Sequence, residues 1–188
     1  MTHIEEPTNT RLRQSNSMVA GISSKILQIR KENIKQSLSD LNTIEHRQDY
    51  VATIDGVMYY DDSRAENANA TWFTFENIVR PVIWIAGGND RETDFKDLMH
   101  VAKKKVKALI CIGKYHANLK NAFQKDIKEI YEVKNLEEAV DTASFLAQKD
   151  DIVLFSPACK SDKAKETFVE RGDQFTNFVK QLENECHQ

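Results

Sequence analysis

Residues 59–71 read YYDDSRAENANAT, and the six positions from Asp61 to Glu66 hold two aspartates, a serine, an arginine and a glutamate. Carboxylates, a hydroxyl and a guanidinium this close together can bind a charged ligand. Three further stretches share that character: Gly87-Gly88-Asn89-Asp90-Arg91, Gly113-Lys114, and Ser156-Pro157-Ala158-Cys159-Lys160-Ser161. A cation beside hydroxyls or backbone N–H groups is a reasonable cradle for a carboxylate or a phosphate. Plainer roles compete. Asp62 or Ser63 can cap a helix over 66–78, worth about 1 kcal/mol, and the Gly87-Gly88 pair can let the chain turn after a strand.

Other chemistries lack their residue patterns. Ser156 does not sit in a G-x-S-x-G elbow, so it is not expected to be a hydrolase nucleophile. No G-x-G-x-x-G or G-x-x-x-x-G-K-[ST] loop occurs in this chain. The histidines at 3, 46, 100, 116 and 187 show no metal-ligand spacing. Cys111, Cys159 and Cys186 form neither a zinc pattern nor a disulfide frame, and Cys111 reads as a small buried hydrophobe in a reducing cytoplasm.

The charged stretches can meet only if the apolar runs before them are neighbouring strands. DYVATIDGVMYYDDS predicts two strands turning at Asp55-Gly56. Ala68, Trp72, Phe75 and Val79 predict a helix, and PVIWIAGG a strand buried on both faces. Phe95, Leu98, Met99 and Ala102 predict a helix, VKALICIG a strand, HANLKNAFQ a short helix, and IKEIYEV a strand. The row from Leu136 to Ala147 predicts a helix, DIVLFSPA a strand, and Phe175, Phe178, Val179 and Leu182 a last helix. Such alternation argues for an α/β, mostly parallel sheet with helices on both faces and an initial β-hairpin. In an open sheet of this kind ligands bind beyond the carboxyl ends of the strands, where the charged stretches fall. Upstream, Met18, Ile22, Ile26 and Ile29, then Ile34, Leu38 and Leu41, predict two helices over 15–29 and 31–41.

The 188 residues carry a net charge of −3, so nothing points to nucleic acid or an acidic membrane as partner. Lys103-Lys104-Lys105 is the tight basic run, and cations at a helix C-terminus are favourable. No run of about 18 apolar residues could span a bilayer, and MTHIEEPTNTRLRQ lacks the apolar centre of a signal peptide.

The strings NSMVAGI, EHR, DDSRAENANATW, VIWIAGGNDRETDF, VKALICIG, LFSPACKS and ERGDQF, in this order, resemble the carboxy-terminal part of the Mur ligases, on the branch that adds D-glutamate. The resemblance runs from about residue 15 to residue 182. It implies a Rossmann-like fold, with residues 1–45 as the trailing helices of a central ATPase domain and residues 46–188 as the amino-acid-binding domain. It implies a cytoplasmic, monomeric, ATP- and Mg2+-dependent ligase of peptidoglycan synthesis, whose substrates are D-glutamate and UDP-N-acetylmuramoyl-L-alanine. Both cofactors would be held mainly by the central domain. This chain alone is expected to be inactive, since it has no phosphate loop of its own.

By the same resemblance, Arg64, Glu66, Arg91, Ser161 and Phe168 would bind D-glutamate. Asn16, Arg47 and Asp62 would contact ATP, Asp62 at the ribose. The resemblance assigns no catalytic group among them. The chain departs from the family where Arg64 and Arg91 replace lysines and Glu66 replaces a threonine; a carboxylate at 66 would repel D-glutamate. TRLR replaces G-x-H-N upstream, and DKAKET follows Ser161. Two alternatives stand beside the D-glutamate ligase: a non-catalytic Rossmann-like binding module, and a Mur-type ligase for another amino acid, to which Glu66 would be suited if that substrate were cationic.

Overall fold

A computed structural model describes residues 46–88, 93–113, 116–160 and 167–186. The helices expected over 15–29 and 31–41 lie outside the described residues.

Strands β1 (Asp49–Ile54) and β2 (Val57–Asp61) form the expected antiparallel hairpin, with Asp49 opposite Asp61 and Ile54 opposite Val57. Asp55 and Gly56 turn it with φ of +50° and +80°, a pair of left-handed values that matches the twist of the flanking strands. Helix α1 (Ala68–Asn77) leads to β3 (Val82–Gly87), α2 (Lys96–Lys105) to β4 (Val106–Ile112), and α3 (His116–Phe123) to β5 (Glu129–Val133). Helix α4 (Leu136–Leu146) returns the chain to β6 (Ile152–Phe155), and α5 (Phe168–Cys186) follows. Among the described residues the sheet has the order β1-β2-β6-β3-β4-β5, parallel from β2 onward.

Each central strand serves two cores. In β3, Val82, Trp84 and Ala86 join Phe75, Leu98, Leu109, Phe123 and Leu154 under α1, α2 and α3. Ile83 and Ile85 face the other way, with Ile110, Val140, Phe155, Phe175 and Val179 under α4 and α5. This is why these strands read as unbroken apolar runs. Trp84 lies between Phe75 and Phe123, edge-to-face at 5.2 Å from each. Such ring pairs add about 0.5–1.5 kcal/mol beyond their burial.

Two elements differ from the expectation. Helix α1 begins at Ala68, capped by Asn67, whose side chain accepts from the Ala70 N–H; neither Asp62 nor Ser63 is its cap. Its buried face is Ala68, Thr71, Thr74 and Phe75, while Trp72 is partly exposed and Val79 lies beyond the helix, fully in solvent. Polar partners beneath the helix share that face with the apolar anchors Ala68 and Phe75. Helix α5 starts at Phe168, well before the apolar row that predicts it, because its first turns pack on polar groups. The lysine run does end α2, and Lys105 Nζ also donates to the carbonyls of Phe75 and Ile78 at the end of α1.

Strand β6 lies between β2 and β3. The helix leaving β3 covers one face of the sheet and the helix after β6 the other. The carboxyl ends of β3 and β6 therefore meet where the connections diverge, the position at which such sheets open a crevice.

Candidate functional site

The loops that end β2, β6 and β3 are stitched together by their backbones. The Asp62 N–H donates to Phe155 O at 2.8 Å, Ala158 N–H to Ala65 O at 2.9 Å, and Gly87 N–H to Pro157 O at 3.0 Å. The glycine pair permits this approach. A Cβ on Gly88 would stand 1.9 Å from the Lys160 carbonyl oxygen, and one on Gly87, whose φ is +130°, would stand 2.0 Å from that of Ile112. The turn-making role of Gly87 and Gly88 and the assembly of a site are therefore the same fact.

Beneath the junction, Asp62 is fully buried. Its Oδ2 accepts from Thr74 Oγ1 at 2.6 Å and from Ser156 Oγ at 2.8 Å, and Ser156 Oγ lies 2.8 Å from Thr71 Oγ1. Arg47 NH1 approaches Oδ1 at 3.4 Å, and Arg47 NH2 donates to Ala70 O at 3.2 Å. Burial is the larger influence and pushes the Asp62 carboxyl up to about 6, against the pull of Arg47 and the two hydroxyls. Asp62 thus holds the junction from within through its Oδ2, while its Oδ1 has no hydrogen-bond partner.

Asp61 is buried beside it and pairs with His46, whose Nδ1 lies 2.6 Å from Asp61 Oδ2. The Ser63 N–H donates to the other carboxylate oxygen at 2.8 Å. Burial raises the Asp61 carboxyl above its usual range, opposed by His46 and by the Ser63 N–H. Helix α5 is seated on this group through Gly172, where a Cβ would meet His46 Nδ1 at 2.2 Å and Asp61 Oδ2 at 2.4 Å.

The surface above carries the ligand-binding candidates. Arg64 is exposed, and its guanidinium carbon lies 4.7 Å from the centre of the Phe168 ring. Glu66 is half-buried, and its Oε1 accepts from Arg171 NH2 at 3.2 Å. The carboxylate expected to repel an anionic substrate is therefore already balanced by a cation of the chain itself. Arg47, Asp62, Arg64, Glu66 and Phe168 gather around one junction. Asn16, Arg91 and Ser161 lie outside the described residues.

Arg47 Nε and Asp62 Oδ1 are buried without a hydrogen-bond partner, a polar pair that fits a contact to a nucleotide held mainly elsewhere. Asp62 is enclosed, and Arg47, nine-tenths buried, is engaged with Asp62 and Ala70. Among the described residues no group of three or more His, Cys, Asp or Glu could hold a metal ion, and no helix is long and apolar enough to cross a membrane.

Ser156 stands out in the sequence at its strand end, whereas Thr71, Thr74, His46, Arg171 and Gly172 do not read there as site-building residues. EHR and ERGDQF contain three of them, but nothing in those strings reveals that His46 meets Asp61 or that Arg171 meets Glu66. Thr71 and Thr74 carried one usable signal: their three-residue spacing puts them on the same helix face as Ala68 and Phe75.

Comparison with known proteins gives a consistent picture. The family described as Mur ligase, glutamate ligase domain, matches residues 46–159. A UDP-N-acetylmuramoylalanine--D-glutamate ligase of Lactobacillus delbrueckii subsp. bulgaricus is 43% identical over 170 residues, covering 89% of this chain and 37% of that protein. A ligase of the same name from Christiangramia forsetii is 38% identical over 167 residues, covering 89% of this chain and 38% of its own length. The chain thus spans a little over a third of the curated relatives it matches. Among solved structures, Mycobacterium tuberculosis folylpolyglutamate synthase aligns with a TM-score of 0.52 at 16% identity, over 72% of this chain and 32% of that one. The UDP-N-acetylmuramate-alanine ligase of Thermotoga maritima aligns with a TM-score of 0.50 at 11% identity, over 74% and 31%. At these identities the two structures speak for the fold alone.

Proposed function

This chain belongs to the Mur ligase family, and on that premise we propose that it is the carboxy-terminal, amino-acid-binding region of a ligase that joins D-glutamate to UDP-N-acetylmuramoyl-L-alanine. Residues 1–45 would close a central ATPase domain, and residues 46–188 would form the domain that presents the amino acid. ATP and Mg2+ would be held mainly by the central domain, with Arg47 and Asp62 contributing contacts to ATP. Both substrates are small molecules of the cytoplasm, and the working unit would be a monomer.

The single observation that carries the reading is the Arg64–Phe168 stack at the carboxyl end of β2, with Glu66 balanced by Arg171. The stack leaves an exposed guanidinium whose planar fork suits a carboxylate. The ion pair removes the charge that would have favoured a cationic amino acid. Arg91 and Ser161 would complete the site from the β3 and β6 loops. Bound this way, D-glutamate would turn its amine toward an activated carboxylate delivered from elsewhere in the enzyme. The chain's part in the reaction is orientation, which converts a bimolecular encounter into a positioned attack.

A chimera tests the reading. Residues 46–188 replace the corresponding segment of the Lactobacillus ligase, and ADP release is followed with each of a panel of amino acids. Release that depends on D-glutamate supports the proposal. Release with another amino acid alone would assign the chain a different substrate. A folded chimera that is inactive with all of them would mark a non-catalytic module.

A further inference from the structure

We propose that Arg171 is the positioning residue of the amino-acid site, and that Glu66 serves as its counter-ion rather than as a carboxylate facing the substrate. The inference rests on the functional reading above and extends it to a residue not among the binding candidates. Arg171 is 5% exposed, on the first turn of α5. Its NH2 donates to Glu66 Oε1 at 3.2 Å and to Ser63 O at 3.5 Å, and its NH1 to Cys159 O at 3.4 Å. Ser63 and Glu66 belong to the loop after β2, and Cys159 to the loop after β6. One planar guanidinium therefore spans both strand ends and the helix that follows them.

The two residues proposed to meet the substrate depend on that span. Arg64 lies between Ser63 and Glu66, both held by Arg171. Phe168 lies three residues before Arg171 on α5, hence on the same face of the helix. Moving the guanidinium moves the loop that carries Arg64 against the helix that carries Phe168. A guanidinium this deeply buried is stable only with a carboxylate partner and well-placed acceptors. Glu66 supplies the first, and the two carbonyls supply the second. The adjacent Gly172, with no side chain, lets α5 come close enough for all three contacts.

The two possible roles of Glu66 predict opposite signs. If its carboxylate faced D-glutamate, Glu66→Gln would remove a repulsion and lower the KM for D-glutamate. As the counter-ion of Arg171, the same change raises that KM by about tenfold while the KM for ATP and kcat stay near the parent values. Arg171→Met should raise it further, Arg171→Lys should recover only part of the loss, and Glu66→Gln added to Arg171→Met should change nothing more.

A second readout needs no turnover. Phe168 places Arg64 in its ring current, so the side-chain resonances of Arg64, followed by NMR, should move toward random-coil positions in Arg171→Met and in Glu66→Gln. Unmoved Arg64 resonances, or a lowered KM in Glu66→Gln, would overturn the proposal. A parent chimera without D-glutamate-dependent turnover would overturn the functional reading alone, and the NMR result would still decide the positioning role.

Discussion

Asp62 shows how a single residue can mislead by its neighbours in sequence. It stands in an exposed-looking string of charges yet is fully buried, tied to Thr74, Ser156 and Arg47. Burial lifts its carboxyl from 3.8 to about 6, so the folded chain holds the proton more tightly than the unfolded chain does. The stability from this group is fully present below about pH 4 and is lost as pH rises through about 6, a swing of roughly 3 kcal/mol. Asp62→Asn removes the titration. The gap in melting temperature between parent and variant should therefore widen on acidification from about pH 7 to about pH 4.5. A gap that stays constant across that range would contradict the assignment. The gathering of charged and hydrogen-bonding groups at Asp61–Glu66 was legible from residue types alone. The inward turn of Asp62 was not, because its partners Ser156 and Arg47 come from other parts of the chain and β6 must insert beside β2 before they meet.

At the scale of elements, the alternation of apolar runs was enough to place every strand and helix of the described residues. Its reading of bounds and faces failed where an element's buried face is polar. Helix α1 offers Thr74 to the Asp62 carboxylate and Thr71 to the Ser156 hydroxyl, so Trp72 turns partly outward. The first turns of α5 carry Arg171 and Gly172 inward, so no apolar row announces them. Beyond the β1–β2 hairpin the order of strands was not legible, since parallel pairing joins residues far apart in sequence and leaves no local trace. Gly172 offers a test at this scale. Replacing a helical glycine with alanine ordinarily stabilises by about 1 kcal/mol. Here the added Cβ would press on His46, Asp61 and Ser63 at 2.2, 2.4 and 2.6 Å. Gly172→Ala should therefore destabilise, by about 1–3 kcal/mol, in calorimetric melting. A raised melting temperature would show that α5 is not seated on this cluster.

For the molecule as a whole, the shared strands decide how it comes apart. Val82 and Trp84 belong to one core and Ile83 and Ile85 to the other, so neither core can dissolve while β3 stays ordered. Phe123→Ala on one face and Phe175→Ala on the other should each weaken hydrogen-exchange protection in β3, β4 and β6 together, by about 3–5 kcal/mol. Losses confined to the elements of one face would mean two separable layers. Trp84 adds a consequence of its own. Its indole N–H donates to Ser156 O at 2.7 Å, and the Ser156 hydroxyl donates to Asp62. The indole is fully shielded, whereas Trp72, the second tryptophan, is 39% exposed and open to a dissolved quencher. With Trp72 quenched, the remaining emission comes from a chromophore wired to the candidate site. That emission should therefore shift as Asp62 gains its proton, a gauge of the site readable without any label.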